Sequence, residues 1–464
     1  MYPHWKRIYK NGIFILIYIA IIAQADEFNN SNESTYLCQD KICSCLNHTN
    51  EDSGLKYEEA DCKSKNLNET YFENKELLSY LIKLDLHGNS ISEIPNFNKN
   101  EMKILILSKN KIKILYDQNF KHSAQLEELD LSWNEIEVIS MNAFDYLKML
   151  LKLDLSHNNL KKINFLLFSH LSKLQDLNLS WNRNLNESKD LKSLDFFEFY
   201  GVTPYLRTLN LNGCNLEVLH LNRGTNLQNL YISNNNMYRM PELPRNIKLI
   251  DYSNNPIEFL NQTFASHLFY LHTLYLNDMP NLKSINEYAF FGLPALKTIY
   301  LQNCKELKYF DPHAFGESVI RNETDTVLQE LNLRGSSLTT LSSSLKFVFE
   351  NLKILNLDGA PLRCDCELQW IREYNFTVIG QCYEPKHLHM QQINKINEKF
   401  ECDWPEHIKN IINGFIIFGI LFVCITLISI VVLGLRKKRS HRRHIGSGSP
   451  YARITIEPTC ENRF

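Results

Sequence analysis

Eight of the twelve cysteines fall in two clusters. Cys38, Cys43, Cys45 and Cys62 read C-x4-C-x-C-x16-C, and Cys364, Cys366, Cys382 and Cys402 read C-x-C-x15-C-x19-C. Thiols so spaced can close disulfides or hold zinc, and the want of histidine at ligand spacing favours disulfides. Spacing alone leaves three connectivities open in each cluster. Glu127, Glu128 and Asp130 are close enough in sequence to suggest acid–base work. No H-E-x-x-H, G-x-S-x-G or P-loop accompanies them. They read as a solvated strand surface, and the chain as no enzyme, with no cofactor and no metal.

Those acids belong to a stretch written three times. LDLSWNEI, LDLSHNNL and LNLSWNRN begin at Leu129, Leu153 and Leu177, each 24 residues after the last. The wider pattern L-x-x-L-x-L-x-x-N-x-L starts at Leu81, Met102, Leu126, Leu150, Leu174, Leu206, Leu227, Ile247, Leu271, Leu296, Leu328 and Leu352. In L-x-L both leucines leave a strand on the same face, because side chains alternate. One such unit cannot bury them alone, so neighbours must stack and share a core.

On this pattern the chain resembles a leucine-rich repeat protein. The resemblance implies an α/β solenoid: a curved parallel β-sheet horseshoe of about twelve repeats, with disulfide caps and one transmembrane helix. It also implies that the ninth-place amides, Asn89, Asn110, Asn134, Asn158, Asn182, Asn235 and Asn255, bond the backbone of adjacent turns. Cys214 and Cys304 stand at the same place, whereas Met279, Ser336 and Ala360 depart from it, so the ladder weakens toward the C-terminal end. Phe120, Phe144, Phe168 and Phe290 each precede the next repeat by six residues and read as a stacked core spine. The 32-residue intervals after Leu174 and Leu296 read as looped insertions.

The cysteine clusters resemble the flanks of extracellular leucine-rich repeat proteins, PLRCDCELQW and the later FEC most closely. That resemblance implies the pairs Cys38–Cys45, Cys43–Cys62, Cys364–Cys382 and Cys366–Cys402. Over about 38–402 the chain is similar to Toll-like receptor ectodomains and to adhesion receptors of the tartan and capricious kind.

Both ends carry membrane signals. Lys6, Arg7 and Lys10 precede the apolar run IFILIYIAIIA, and Ala23-Gln24-Ala25 supplies a cleavage site, so 1–25 reads as a signal peptide rather than an uncleaved anchor. Phe415–Leu435 runs without a charge, long enough for a bilayer core of about 30 Å, and RKKRSHRR follows, which places that end in the cytoplasm. The expected organisation is therefore 1–25 signal peptide, 26–80 N-terminal cap, 81–362 solenoid, 363–408 C-terminal cap, 409–435 juxtamembrane and transmembrane helix, and 436–464 basic tail. The formal charge is −2; with +6 on 436–464 and +3 on 1–25, residues 26–435 carry −11. An acidic ectodomain argues against nucleic acid as a partner. The 29 residues of the tail are too few for a kinase or a Toll-type domain. They hold Tyr451-Ala452-Arg453-Ile454, a Y-x-x-Φ match in which Tyr451 and Ile454 are the residues an endocytic adaptor would read.

Candidate glycosylation sequons are Asn29, Asn32, Asn47, Asn68, Asn178, Asn186, Asn261, Asn322 and Asn375. Asn178 lies between Leu177 and Leu179, so a glycan there would obstruct the middle of the concave sheet. The column of exposed strand positions is acidic early and shows Tyr231, Tyr275 and Tyr300 later; these tyrosines are the partner-binding candidates, beside the plain reading that Tyr suits a strand. Trp133, His157 and Trp181 form another column, which reads as ordinary turn chemistry of this family in preference to a binding site. The expected function is a non-catalytic, single-pass plasma-membrane receptor for recognition or adhesion, its N-terminus extracellular, binding an extracellular or cell-surface protein. The alternative is a co-receptor or decoy that captures ligand for a signalling receptor, the Toll-like pathway included.

Overall fold

The computed structural model describes residues 35–49, 56–73, 75–77, 79–98, 100–185, 195–261, 267–317, 327–401 and 406–443. They form two compact units, Met1–Phe400 and Glu401–Phe464. The first is a parallel solenoid whose main sheet has 15 strands. Each of the twelve expected repeats contributes one strand, and identical positions pair across turns: Leu129 with Leu153 and Leu153 with Leu177. The pattern leucines are buried throughout, which is worth about 2 kcal/mol for each side chain removed from water.

Caps extend the sheet at both ends. Before the first repeat, Ser44–Thr49 and Lys56–Asp61 form an antiparallel hairpin whose second strand pairs with Leu81–Asp85. Disulfides Cys38–Cys45 and Cys43–Cys62 tie this hairpin down. After the last repeat, Thr377–Ile379 adds a thirteenth parallel turn beside Ile354–Asn356. Cys364–Cys382 closes it, and Trp370, buried against Phe349, donates its indole N–H to the Leu341 carbonyl at 2.9 Å. Cys366 is also disulfide-bonded; Cys402, its expected partner, lies outside the described residues.

Inside the turns an amide ladder does what a core of leucines cannot. The Asn158 amide donates to the carbonyls of Leu131 and Leu155, both at 3.0 Å, and its oxygen accepts the Ile136 N–H at 2.9 Å. Polar backbone that the turns bury is thereby satisfied. The same bonds recur at Asn89, Asn110, Asn134, Asn182, Asn235 and Asn255. Cys214 and Cys304 substitute a weaker thiol bond, to the Leu179 carbonyl at 3.3 Å and the Leu276 carbonyl at 3.2 Å. Ser336, further along, has a buried hydroxyl without a partner among the described residues. On the opposite side the phenylalanine spine is present, with Phe120 and Phe144 stacked at 6.2 Å and Phe144 and Phe168 at 6.3 Å.

One insertion differs from the expected loop. Among its described residues, Phe196–Tyr200 is a short helix. Asp195 caps it by accepting the Phe197 and Glu198 N–H groups, and Gly201 ends it in the left-handed conformation. Phe196, Phe197 and Tyr200 are buried, so this part of the insertion is core. The second unit holds the helix Glu406–Arg443, whose apolar stretch Asn410–Arg436 contains an 18-residue window of mean hydropathy 3.2. At 1.5 Å per residue that stretch spans about 40 Å, enough to cross a bilayer.

Candidate functional site

The main sheet turns two side chains from each repeat outward, one on either side of the buried central leucine or isoleucine, and of these Asp85 and Asn332 are themselves buried. Tyr275 and Tyr300 are neighbours there, because Thr273–Tyr275 and Thr298–Tyr300 pair in register. Their rings stack with centroids 4.8 Å apart and planes 8° from parallel. Both are half-buried. The Tyr300 hydroxyl donates to Glu330 at 3.1 Å. Burial first, then the Glu330 charge, pushes that hydroxyl up to about 12, so it stays protonated at neutral pH. Tyr231 is not in the stack: the strand Leu249–Asp251 lies between it and Tyr275.

Tyr231 instead lines a groove of about 390 Å³ further toward the N-terminus. Its floor carries Glu128, Asp130, Lys152, Asp154, Asp176 and Asn178. Asp130 and Asp154 each accept the N–H two residues on, from Ser132 at 2.9 Å and Ser156 at 2.8 Å. Asn178 repeats that bond with Ser180 and donates to the second oxygen of Asp154 at 2.8 Å. A glycan on Asn178 would therefore emerge inside this groove, from an amide already engaged. Asn47, Asn68, Asn261 and Asn375 are exposed. Asn29, Asn32, Asn186 and Asn322 lie outside the described residues, as do Tyr451 and Ile454.

Beyond the strand ends the column of Trp133, His157 and Trp181 forms a stacked ledge. Trp133 and His157 stack at 3.8 Å, and His157 and Trp181 at 5.7 Å. All three sit at the left-handed turn position, with φ of 54°, 53° and 60°. Gly213, Asn234, Asn254 and Asn303 occupy that place in later repeats. Gly213 is needed for a further reason: a Cβ there would meet the Trp181 ring at 2.6 Å. Burial holds the His157 imidazole below its ordinary value of 6.5; Asp154 opposes the shift and Arg183 adds to it.

Two of the three acids that first suggested catalysis are taken up in surface ion pairs, and Asp130 accepts a turn N–H. Glu127 binds Lys103 at 2.9 Å and Glu128 binds Lys152 at 2.6 Å. Among the described residues, the group of possible metal ligands that come together is Cys38, Cys45 and Glu58, and its two sulfurs are bonded to each other. Cys214 and Cys304 are free and buried, with burial pushing each thiol up to about 12, so neither is a ready nucleophile.

Comparison with known proteins agrees with this architecture. The family described as leucine rich repeat matches 100–160 and 125–183. The BspA type leucine rich repeat region matches 212–333 and 245–361. Together these span half of the chain. Among solved structures, the mouse RP105/MD-1 complex is similar at 20% identity and a TM-score of 0.54, over 73% of this chain and 61% of that one. The Drosophila Toll–Spatzle complex is similar at 18% identity and a TM-score of 0.46, over 71% of this chain and 56% of that one. The chain thus spans about three fifths of the length of these two solved proteins. Twelve in-register leucine strands, the amide ladder and both family matches make this chain a member of the leucine-rich repeat family.

Proposed function

We propose that the chain is a non-catalytic cell-surface receptor, crossing the membrane once with its solenoid outside, that binds an extracellular protein on its open sheet face. The observation that carries this reading is the Tyr275–Tyr300 stack. Two half-buried, stacked aromatic rings offer a rigid apolar contact with a hydroxyl at its edge, the composition of interface anchors. A broad, open sheet suits a protein better than a small molecule, which needs enclosure. The apolar stretch Asn410–Arg436, followed by basic residues, supports an anchor with the basic end inside. The fold is that of a protein solved in a complex, RP105/MD-1.

The test uses cells displaying the chain and beads carrying candidate extracellular proteins. Tyr275→Ala with Tyr300→Ala should weaken capture of a bound partner by about 30-fold while surface display is unchanged, since both rings lie outside the core. Wild-type capture by that variant would place docking elsewhere. Aggregation between expressing cells marks adhesion; capture of a soluble protein without aggregation marks the co-receptor or decoy role.

A further inference from the structure

The aromatic ledge and the carboxylates of the groove beside it come from the same three repeats. Asp130, Asp154 and Asn178 end the strands whose following turns present Trp133, His157 and Trp181. Four carboxylates, Glu128, Asp130, Asp154 and Asp176, line the groove against one amine, Lys152. That amine is held by Glu128 at 2.6 Å. Asp130, Asp154 and Asp176 form no salt bridge among the described residues. On the ledge, Trp133 is 53% exposed. Lys109 lies over the Trp133 ring at 5.9 Å and Arg183 over the Trp181 ring at 5.6 Å. The ring faces are therefore closed by the stack and by the chain's own cations, and the ring edges are what remain open.

Bulky residues are costly at this turn. A non-glycine residue in the left-handed conformation costs on the order of 1 kcal/mol, which asparagine bears most easily. Later repeats use glycine, asparagine or, at Asp278, aspartate there, while these three place large aromatic rings side by side. The rings contribute little to the core, so their packing yields a surface.

We infer that this ledge and groove form a docking surface for an extended basic segment of a protein partner. Its arginine or lysine side chains reach Asp130, Asp154 and Asp176, while its apolar side chains lie along the open edges of Trp133, His157 and Trp181. Charge complementarity selects the occupant. Phosphate or sulfate chains would be repelled by the floor. A metal ion finds no cage, because the carboxylates stand on successive strands about 4.8 Å apart rather than converging on one point. An extended peptide projects alternate side chains about 6.6 Å apart, within the reach of flexible basic residues. The inference deepens the receptor reading, since it takes the sheet face to be the docking face, but it uses different residues.

The test displays the full chain on cells and titrates a fluorescent octapeptide of alternating arginine and leucine, with a glutamate–leucine octapeptide and heparin as counter-probes. Asp130→Ser with Asp154→Ser is conservative, because a serine oxygen can still accept the turn N–H, and unlike asparagine it creates no N-L-S sequon with Ser132 or Ser156. Trp133→Asn with Trp181→Asn is also conservative, asparagine being native to that turn at Asn234 and Asn254. Each pair should weaken basic-peptide binding at least about tenfold. Glu135→Gln with Glu137→Gln removes equal charge outside the groove and should leave binding within about twofold. Four results would overturn the inference: equal loss from that outside pair, preference for the acidic peptide or heparin, no binding of the basic peptide, or binding only after Asn178→Gln, which would mean that a glycan fills the groove. Tyr275→Ala with Tyr300→Ala should not alter peptide binding, so failure here leaves the tyrosine reading standing, and failure there leaves this one.

Discussion

The rings of Trp133 and His157 lie 3.8 Å apart at their centroids and 10° from parallel. A neutral imidazole stacks well on an indole, whereas partial burial disfavours its protonation and holds His157 below 6.5. The folded state thus binds that proton less readily than the unfolded chain. The stability His157 contributes is complete above about 6.5 and is lost as the pH falls through its lowered folded value. Tryptophan fluorescence and the thermal midpoint should both decline toward pH 5. His157→Asn should flatten that dependence; an identical pH profile in the variant would remove His157 as its cause.

Asn158 tests the ladder. Asn158→Ala orphans the buried Ile136 N–H and removes one of the two amide donors to each of the Leu131 and Leu155 carbonyls, which keep Asn134 and Asn182. At about 1–3 kcal/mol for the unsatisfied N–H and roughly 0.5–1.5 kcal/mol for each lost bond, the expected loss is about 3 kcal/mol in urea unfolding. Asn158→Cys should lose less, because the Cys214 thiol already bonds the carbonyl of the preceding turn at that place. Equal losses would show that the thiol bond contributes nothing.

The C-terminal cap closes the open end of the solenoid, and Cys364–Cys382 holds it. Cys364→Ser should cost about 2–5 kcal/mol and leave the chain retained inside the cell, with leucine core exposed at the end. Surface staining quantifies this, and normal display would make the bond dispensable.

Tyr451 carries the proposal for the tail. If Tyr451-Ala452-Arg453-Ile454 is read by an endocytic adaptor, Tyr451→Ala should slow uptake of surface-labelled protein and raise its steady-state density. Unchanged uptake would reduce the match to coincidence.

Much of this was legible in the order of residues, for a local reason. A turn that must return to the same place every 24 residues repeats its leucines and its asparagine, so Leu129, Leu153 and Leu177 announce their own register. The left-handed turn position could also be counted from the pattern. What periodicity could not supply is anything that breaks the period or depends on lateral neighbours. The interval after Leu174 looked like a loop, yet Phe196, Phe197 and Tyr200 are buried there, because irregular segments carry no register to read. The cap strand Thr377–Ile379 joined the sheet through long-range pairing with Ile354–Asn356, although no leucine motif marks it. Tyr231, Tyr275 and Tyr300 share a sequence column, but the strand Leu249–Asp251 separates the first from the other two and leaves it in the acidic groove. Glu128, Asp154 and Asp176 come from three repeats and both exposed columns, and only the pairing of their strands gathers them on one floor. Repetition specifies what each turn contains; stacking decides which side chains of different turns touch, since those contacts lie across the chain rather than along it.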